Sequence, residues 1–143
     1  MKTLYESQLE LKIGSFALNW NLKQESIRSL LKGEFETSID EKTNTIHDVY
    51  HSMDGTKCMV IFNYHPDLQL SELIIHYGLA LYIGGEIFHV NSSLDDILAQ
   101  TSFEYDLIGE DEIYFHELNL ILTNDLFMGG EGNRIGCISI KKN

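Results

Sequence analysis

A short pattern that occurs twice constrains the fold of this chain more than any other feature. Leu-Glu-Leu-Lys-Ile-Gly begins at Leu9, and Leu-Ala-Leu-Tyr-Ile-Gly begins at Leu79. The match continues downstream in the same register, because Ile27 of the first copy corresponds to Ile97 of the second. The sequence therefore predicts two copies of one structural unit, each of which needs a neighbour to cover its apolar face.

Each copy begins with the pattern of a tight hairpin followed by a helix. Apolar residues alternate with others up to Ile13, which is the period of a strand with one buried face. Gly14 then permits a two-residue turn into a returning strand. Ile27, Leu30 and Leu31 have the spacing of the apolar stripe of an amphipathic helix.

Capping residues predict where the helices start, and alternation predicts strands after them. In the first copy Asn21 is the expected N-cap with Gln24 as its capping-box partner, and in the second copy Ser93 and Asp96 form the corresponding pair. The strands predicted after the helices lie at about 45–52, 57–64 and 72–77 in the first copy and at about 103–108, 112–122 and 135–141 in the second.

These elements predict an α+β fold in a single domain. A chain of 143 residues has the size of one domain, and no linker separates the copies at Tyr77 and Gly78. We expect two tandem ββαβββ units, at about 1–77 and 78–143, that form largely antiparallel sheets with two helices packed on them. A pseudo-two-fold internal repeat would relate the units.

The distribution of charge restricts the class of partner. The formal net charge is −12, and no Lys or Arg occurs between Lys57 and Arg134, where thirteen Asp or Glu residues lie. Such a surface repels phosphate groups, so nucleic acids and anionic membranes are not expected as partners. It attracts a basic protein and accelerates the encounter, although an acidic surface also serves solubility alone.

Targeting and redox signals are absent from the sequence. The sequence contains no run of about 18 apolar residues, so we expect no transmembrane helix. The first ten residues lack the apolar region of a secretion signal. Cys58 and Cys137 lack a CxxC spacing and lie within apolar runs, so we expect two reduced, mostly buried thiols. These features favour a cytoplasmic protein, which we expect to be monomeric in the free state.

No motif predicts catalysis, a metal or a cofactor. His47 and His51 share one face of a predicted strand, but at about 13 Å they are too far apart for one metal ion. The glycine-rich stretch 129–132 lacks the Lys and the following helix of a phosphate-binding loop. The chain also has no GxSxG motif. We therefore predict a protein that is not an enzyme and that needs no cofactor.

The candidate binding residues are acidic and aromatic side chains of one stretch of the second copy. Aromatic anchors within a charged patch are typical of surfaces that recruit a protein partner, whereas the alternative is an ordinary solvated surface. The predicted partner-binding residues are Glu104, Tyr105, Asp106, Glu110, Asp111, Glu112, Tyr114 and Glu117.

The second copy resembles small acidic immunity proteins of bacterial polymorphic-toxin and contact-dependent inhibition systems. The resemblance lies in a strand that ends in Gly-Gly at 79–85, a helix start at 93–98, an aromatic strand at 113–115 and a Leu-x-Leu strand at 118–120. The tandem units are also similar to the beta-lactamase inhibitory proteins, which present a concave sheet to an enzyme. The resemblance implies a protein that binds and silences a cognate toxin and that has no catalytic residues.

The leading hypothesis is therefore an immunity protein that occludes the active site of a basic toxin, such as a nuclease, with its acidic face. Two alternatives stay open. One is a small-ligand-binding or enzymatic domain with a pocket between the sheets, near His47, His51 or His76. The other is a scaffold or assembly subunit.

Overall fold

The computed structural model describes residues 11–142. Leu9 and Glu10, with which the first repeated pattern begins, lie outside the described residues, as does the rest of the N-terminal ten. The described part is an α+β structure with two α-helices and antiparallel sheets, as predicted. Neither described helix has the length or the apolar composition that crossing a membrane requires.

The order of elements is the same in both halves of the described chain. The first half contains β1 (Leu11–Ile13), β2 (Phe16–Leu18), α1 (Gln24–Leu30), β3 (Phe35–Asp40), β4 (Thr45–Met53), β5 (Thr56–Tyr64) and β6 (Leu70–Tyr77). The second half contains β7 (Leu81–Ile83), β8 (Glu86–Phe88), α2 (Leu94–Gln100), β9 (Tyr105–Ile108), β10 (Glu112–Phe115), β11 (Leu120–Asn124) and β12 (Ile135–Lys141). Two 3-10 turns, His116–Leu118 and Asp125–Met128, flank β11.

Each half has one strand more than the predicted ββαβββ unit. Strand β3 was not predicted, because all six of its residues are exposed and the strand therefore has no buried apolar face to show in the sequence. Its pairing with β4 holds it in place. In the second half the predicted strand 112–122 is two strands, since Asn119 adopts a left-handed conformation after a 3-10 turn. Both halves are therefore ββαββββ.

Strands of both halves contribute to both sheets. The small sheet has the order β2-β1-β7-β8, and the large sheet has the order β3-β4-β5-β6-β12-β11-β10-β9. Each order is symmetric about a contact between the halves, β1 with β7 and β6 with β12. A two-fold repeat requires this symmetry of order, and the structural equivalence of the two halves stays a prediction.

One face of the large sheet carries the core. The small sheet and the helices pack on this face, and their buried side chains join those of the large sheet in a single cluster. Phe88 of the small sheet meets Phe115 of the large sheet edge to face, with ring centroids 5.5 Å apart. On the opposite face, side chains such as Ile61 and Ile74 are half-buried.

One of the two predicted helix caps is present. Ser93 caps α2 by accepting a hydrogen bond from the Asp96 backbone N–H at 3.4 Å, as predicted. The predicted Asn21 cap of α1 is wrong, because Lys23 precedes the first helical residue and makes no side-chain cap. The Gln24 side chain is instead buried towards Asp48 of β4.

Candidate protein-interaction surface

Strand β9, at one end of the large sheet, contains two of the predicted partner-binding residues, Tyr105 and Asp106, and both are exposed. It pairs with β10 alone, with Asp106 opposite Tyr114 and Tyr105 opposite Phe115. Because successive side chains of a strand point to opposite faces, Asp106 and Tyr114 lie on the open face of the sheet. Tyr105 points to the core side with Phe115. The predicted residues therefore surround the edge of the sheet and do not form one flat face.

The predicted residues differ in exposure. Five of them are exposed and could contact a partner directly: Glu104, Tyr105, Asp106, Glu110 and Asp111. Glu112, Tyr114 and Glu117 are half-buried. The Tyr114 hydroxyl donates a hydrogen bond to Asn119 Oδ1 at 3.2 Å, which orients this ring within the sheet. Glu117 lies in a 3-10 turn at the other end of β10 from Glu110 and Asp111.

A histidine lies next to the acidic residues of β9. His116 Nε2 is 2.5 Å from Asp106 Oδ2, and both side chains are exposed. The imidazole of His116 also makes a T-shaped contact with the Tyr114 ring, with ring centroids 4.7 Å apart. This contact holds the imidazole in position.

Exposed apolar side chains alternate with the acidic residues along β9. Tyr105, Leu107 and Ile108 are 38%, 68% and 44% exposed. Single exposed apolar residues are common on protein surfaces, but contiguous ones on a sheet edge indicate a contact site. Sequence reasoning included Tyr105 and missed Leu107 and Ile108. Their signal was the apolar pair inside an otherwise acidic stretch.

A second exposed apolar group lies in the turn after β11, beside Gly136 of β12 and next to the Glu110–Asp111 turn. Leu126, Phe127 and Met128 of the 3-10 turn after β11 are all exposed. Asn124, directly before this turn, donates hydrogen bonds from its side chain to the Glu110 carbonyl and from its backbone to the Asp111 carbonyl, both at 2.8 Å. The acidic turn and the apolar turn are thereby tied together.

We refer to these two groups together as the acidic–apolar surface. The segment from Met128 onwards contains the glycine-rich stretch 129–132. In the structure this segment is anchored, because Gly130 and Gly132 donate backbone hydrogen bonds to Asp125 at 2.9 and 2.8 Å. The acidic–apolar surface consists of Glu104, Tyr105, Asp106, Leu107, Ile108, Glu110, Asp111, Leu126, Phe127 and Met128.

A buried ionic cluster lies in the first half, between α1 and the large sheet. The Asp48 carboxylate is fully buried and accepts two hydrogen bonds from Arg28 and one from Thr37. The hydrogen bond to Asp48 raises the pKa of Arg28. Arg28 also lies over the Phe35 ring, 4.7 Å from its centroid. This cluster could not be predicted from the sequence, because its members are distant in the chain.

Two buried tyrosines lie close to this cluster. The hydroxyl groups of Tyr50 and Tyr64 are buried and make no hydrogen bond within the described residues. Burial, with a smaller contribution from the Asp48 carboxylate, raises the pKa of Tyr50 to about 12 and also raises the pKa of Tyr64. Both phenols therefore stay neutral at physiological pH.

The histidines that were weighed as metal ligands lie apart from one another. His47 Nδ1 contacts Asn63 Oδ1, whereas His51 Nε2 lies 3.4 Å from Glu36 Oε2. Burial lowers the pKa of His76. Within residues 11–142, no three His, Cys, Asp or Glu side chains are grouped closely enough to hold a metal ion.

A polar groove of about 620 Å³ lies at one end of the large sheet, where the β3–β4 and β5–β6 turns meet the end of β12. Its lining includes His65, Glu72, Lys141 and Lys142. The predicted pocket residues His47, His51 and His76 do not line it. The alternative of a small-ligand site would therefore use this groove.

The two cysteines are free thiols. Cys58 is buried, and burial raises its pKa. Burial, and then the nearby Glu72 carboxylate, raises the pKa of the half-buried Cys137 to about 11. A raised pKa disfavours the thiolate, which is the reactive form.

Comparison of the chain with protein families, with curated proteins and with solved structures found no match.

Proposed function

We propose that this protein is a non-enzymatic inhibitor that binds a basic protein, and that it acts in the cytoplasm as an immunity protein against a cognate toxin such as a nuclease. The observation that carries the proposal is the acidic–apolar surface, where exposed carboxylates lie next to exposed apolar side chains on β9 and on the turns after β9 and β11. Such a surface combines the two properties that a binder of basic proteins needs.

The carboxylates account for attraction and orientation. A nuclease active site is built to hold phosphate, so its surface is positive, and a negative protein accelerates the encounter with it. Glu110 and Asp111 project from the turn between β9 and β10, where both are exposed. They would occupy the positions of substrate phosphates and thereby exclude the substrate.

The apolar residues account for affinity. Charge at the rim of an interface mainly changes the association rate, whereas apolar and aromatic anchors at its centre supply most of the binding free energy. Tyr105 and Leu107 of β9, together with Phe127 and Met128 of the turn after β11, provide such anchors.

Co-expression tests the proposal. A basic C-terminal domain of a large secreted protein encoded beside this gene would be expressed with and without this chain. We expect that the chain restores growth and that the two purified proteins form a complex. A toxin domain that remains active in the presence of an excess of this folded chain would contradict the proposal.

Charge reversal tests the role of the surface. The double variant Glu110→Lys/Asp111→Lys should reduce the association rate at least about tenfold at low salt and flatten its salt dependence. The control is the double variant Glu34→Lys/Glu41→Lys, which changes the net charge by the same amount. Both residues are exposed, and they directly precede and follow β3 in the first half. Equal effects of the two double variants would show that total charge matters and that the acidic–apolar surface does not.

A second candidate function is binding of a small ligand in the polar groove. The groove brings Lys141, Lys142 and His65 near Glu72, which suits a small anionic or zwitterionic molecule. Native mass spectrometry of the purified chain tests this candidate, since a retained ligand adds a defined mass. A mass equal to that of the bare chain would count against it.

A further inference from the structure

The direction of the β10 backbone groups follows from one hydrogen bond. The Asn124 N–H donates to the Asp111 carbonyl at 2.8 Å, which extends the β10–β11 pairing by one residue. In an antiparallel pair, residues alternate between pointing their N–H and C=O groups towards one neighbouring strand and towards the other. Glu112 and Tyr114 therefore direct theirs away from β11, towards β9.

The same alternation gives the direction of the N–H and C=O groups of β9. Ile108 and Asp106 are opposite Glu112 and Tyr114 and exchange hydrogen bonds with them. The N–H and C=O groups of the residues between, Tyr105 and Leu107, point away from β10. No strand lies on that side within the described residues. Strand β9 thus offers a row of unpaired donors and acceptors, which is the template for adding another strand.

The side chains around this row favour a particular occupant. On one face of β9 the exposed side chains are the apolar Tyr105 and Leu107, and on the other face Asp106 and Ile108 are exposed. Glu104 and the Glu110–Asp111 turn extend the negative charge beyond both ends of the strand. A strand with apolar residues on one face and Lys or Arg on the other is complementary to both faces.

A second copy of this chain is a poor occupant of the same edge. Pairing of β9 with itself would bring Asp106 and the flanking Glu104, Glu110 and Asp111 of two copies together, with no Lys or Arg among residues 104–117. Like charges opposite one another in a sheet are destabilising. The charge of the edge therefore discriminates against self-association and favours a basic segment.

The edge at the other end of the sheet lacks this combination. Strand β3 also pairs with a single neighbour, and Ile39 is 61% exposed. However, the guanidinium of Arg28 lies over Phe35 and its Nη2 bonds Thr37, so a positive charge covers the core-side face of β3. Arg28 is itself paired with Asp48, and β3 carries the exposed Glu36 and Asp40. The exposed Lys32 and Lys42 lie close to its two ends, so the charge of this edge is mixed and attracts a basic segment less than β9 does.

We propose that β9 binds an extended, basic segment of the partner by β-strand addition, with apolar side chains over Tyr105 and Leu107 and Lys or Arg beside Asp106. This inference rests on the proposed function, because it specifies how the basic partner is held. Main-chain hydrogen bonds would supply affinity, and the alternating faces would supply selectivity.

The test uses a proline at an outward-facing backbone position. Leu107→Pro removes an N–H that points away from β10, and edge positions of this kind tolerate proline. The matched control is Ile39→Pro on β3. The Glu34 carbonyl accepts a bond from the His51 N–H at 2.8 Å, so by the same alternation Ile39 also points its backbone outwards.

The probe is a synthetic peptide of alternating Lys and Val, compared with its Glu-Val counterpart and with a Lys-Val peptide that is N-methylated on alternate residues. We expect the Lys-Val peptide to shift amide resonances of β9 and not of β3. N-methylation and Leu107→Pro should each weaken binding at least tenfold, whereas Ile39→Pro should not. Equal binding of the N-methylated peptide, or shifts confined to other strands, would overturn the inference.

The same variants in the toxin-binding assay separate the two proposals. If Leu107→Pro leaves toxin binding unchanged while Glu110→Lys/Asp111→Lys weakens it, strand addition is wrong and the inhibitor function stands. If neither variant affects binding, both proposals about this surface fail. Circular dichroism and a denaturation curve must first show that Leu107→Pro is folded, and Leu107→Thr, which weakens the apolar face and keeps the N–H, provides a milder comparison.

Discussion

Arg28 holds the carboxylate of Asp48 through two hydrogen bonds, from Nε to Oδ2 at 2.9 Å and from Nη2 to Oδ1 at 2.8 Å. Asp48 is fully buried, whereas about a third of the Arg28 side chain is exposed. The pair connects α1 to the centre of β4, so it fixes this helix on the large sheet.

Under the predicted repeat, the second half has apolar residues at the corresponding places. Arg28 and Leu98 are each the fifth residue of their helices, and the pairing of Asp48 with Phe62 corresponds to that of Ile113 with Leu122. A helix and a sheet in this arrangement therefore do not require a buried charge. The corresponding positions are Gln24 and Leu94, Arg28 and Leu98, Thr37 and Leu107, and Asp48 and Ile113.

Removing one member of the ion pair should destabilise the protein. Asp48→Asn leaves the Arg28 guanidinium beside a neutral amide, and breaking a buried pair of this kind costs about 3 kcal/mol. Urea denaturation at neutral pH measures the free energy of unfolding. Glu36→Gln, on an exposed carboxylate of the neighbouring strand, should change it by less than about 0.5 kcal/mol. Similar losses in both variants would contradict the importance of burial.

Replacing the whole cluster by its second-half counterparts should restore stability. The variant Gln24→Leu/Arg28→Leu/Thr37→Leu/Asp48→Ile removes every charge at once, and apolar replacement of a buried ion pair is often neutral or stabilising by about 1–4 kcal/mol. We expect this variant to be at least as stable as the natural chain and far more stable than Asp48→Asn. A quadruple variant that is less stable than Asp48→Asn would show that the two halves are not equivalent here.

Stability should fall at alkaline pH because of the buried tyrosines. The folded-state pKa of Tyr50 is about 12, whereas an unfolded tyrosine has a pKa of about 10. The stabilisation is complete below the unfolded pKa and is lost as pH rises from about 10 to 12, since only the unfolded chain releases the proton in this range. Unfolding curves at a series of pH values measure this loss. Tyr50→Phe should reduce the slope and change stability little at pH 7.

Gly78, which joins the two halves, should not tolerate a side chain. Its φ is +98°, and a Cβ atom there would lie 2.4 Å from the Lys57 carbonyl oxygen and 2.6 Å from the Cys58 Cα. Gly55 has a φ of +82° but open space around it. Gly55→Ala should therefore cost about 1–2 kcal/mol from backbone strain alone, and Gly78→Ala should cost clearly more. Equal melting temperatures of the two variants would contradict this steric explanation.

Much of the local structure could be predicted because its signals are short-range. The turn at Gly14 gives a hairpin, as does the turn at Gly84, since glycine accepts the positive φ observed at both positions. The strands β4 and β12 were predicted from alternation along the sequence, which reports one buried face. By contrast, β3 depends on pairing with β4, and a solvent-exposed edge strand carries little hydrophobic signal.

The candidate surface was predicted in part for a similar reason. The excess of acidic residues at 104–117 is visible in the sequence, and five of the eight predicted residues are exposed. The contribution of Leu126, Phe127 and Met128 was missed. These residues join the surface only because Asn124 bonds the β9–β10 turn.

The sequence by itself determined the α+β class, the repeated order of hairpin and helix, and the net charge of the second half, because these depend on periodicity, turn residues and composition. Only the tertiary structure decided which strands form the edges of the large sheet and which side chains meet across it. Arg28 meets Asp48, and Asp106 lies at an open edge, through pairings between distant segments. Strand order depends on how the two halves share their sheets, and no local pattern contains that information.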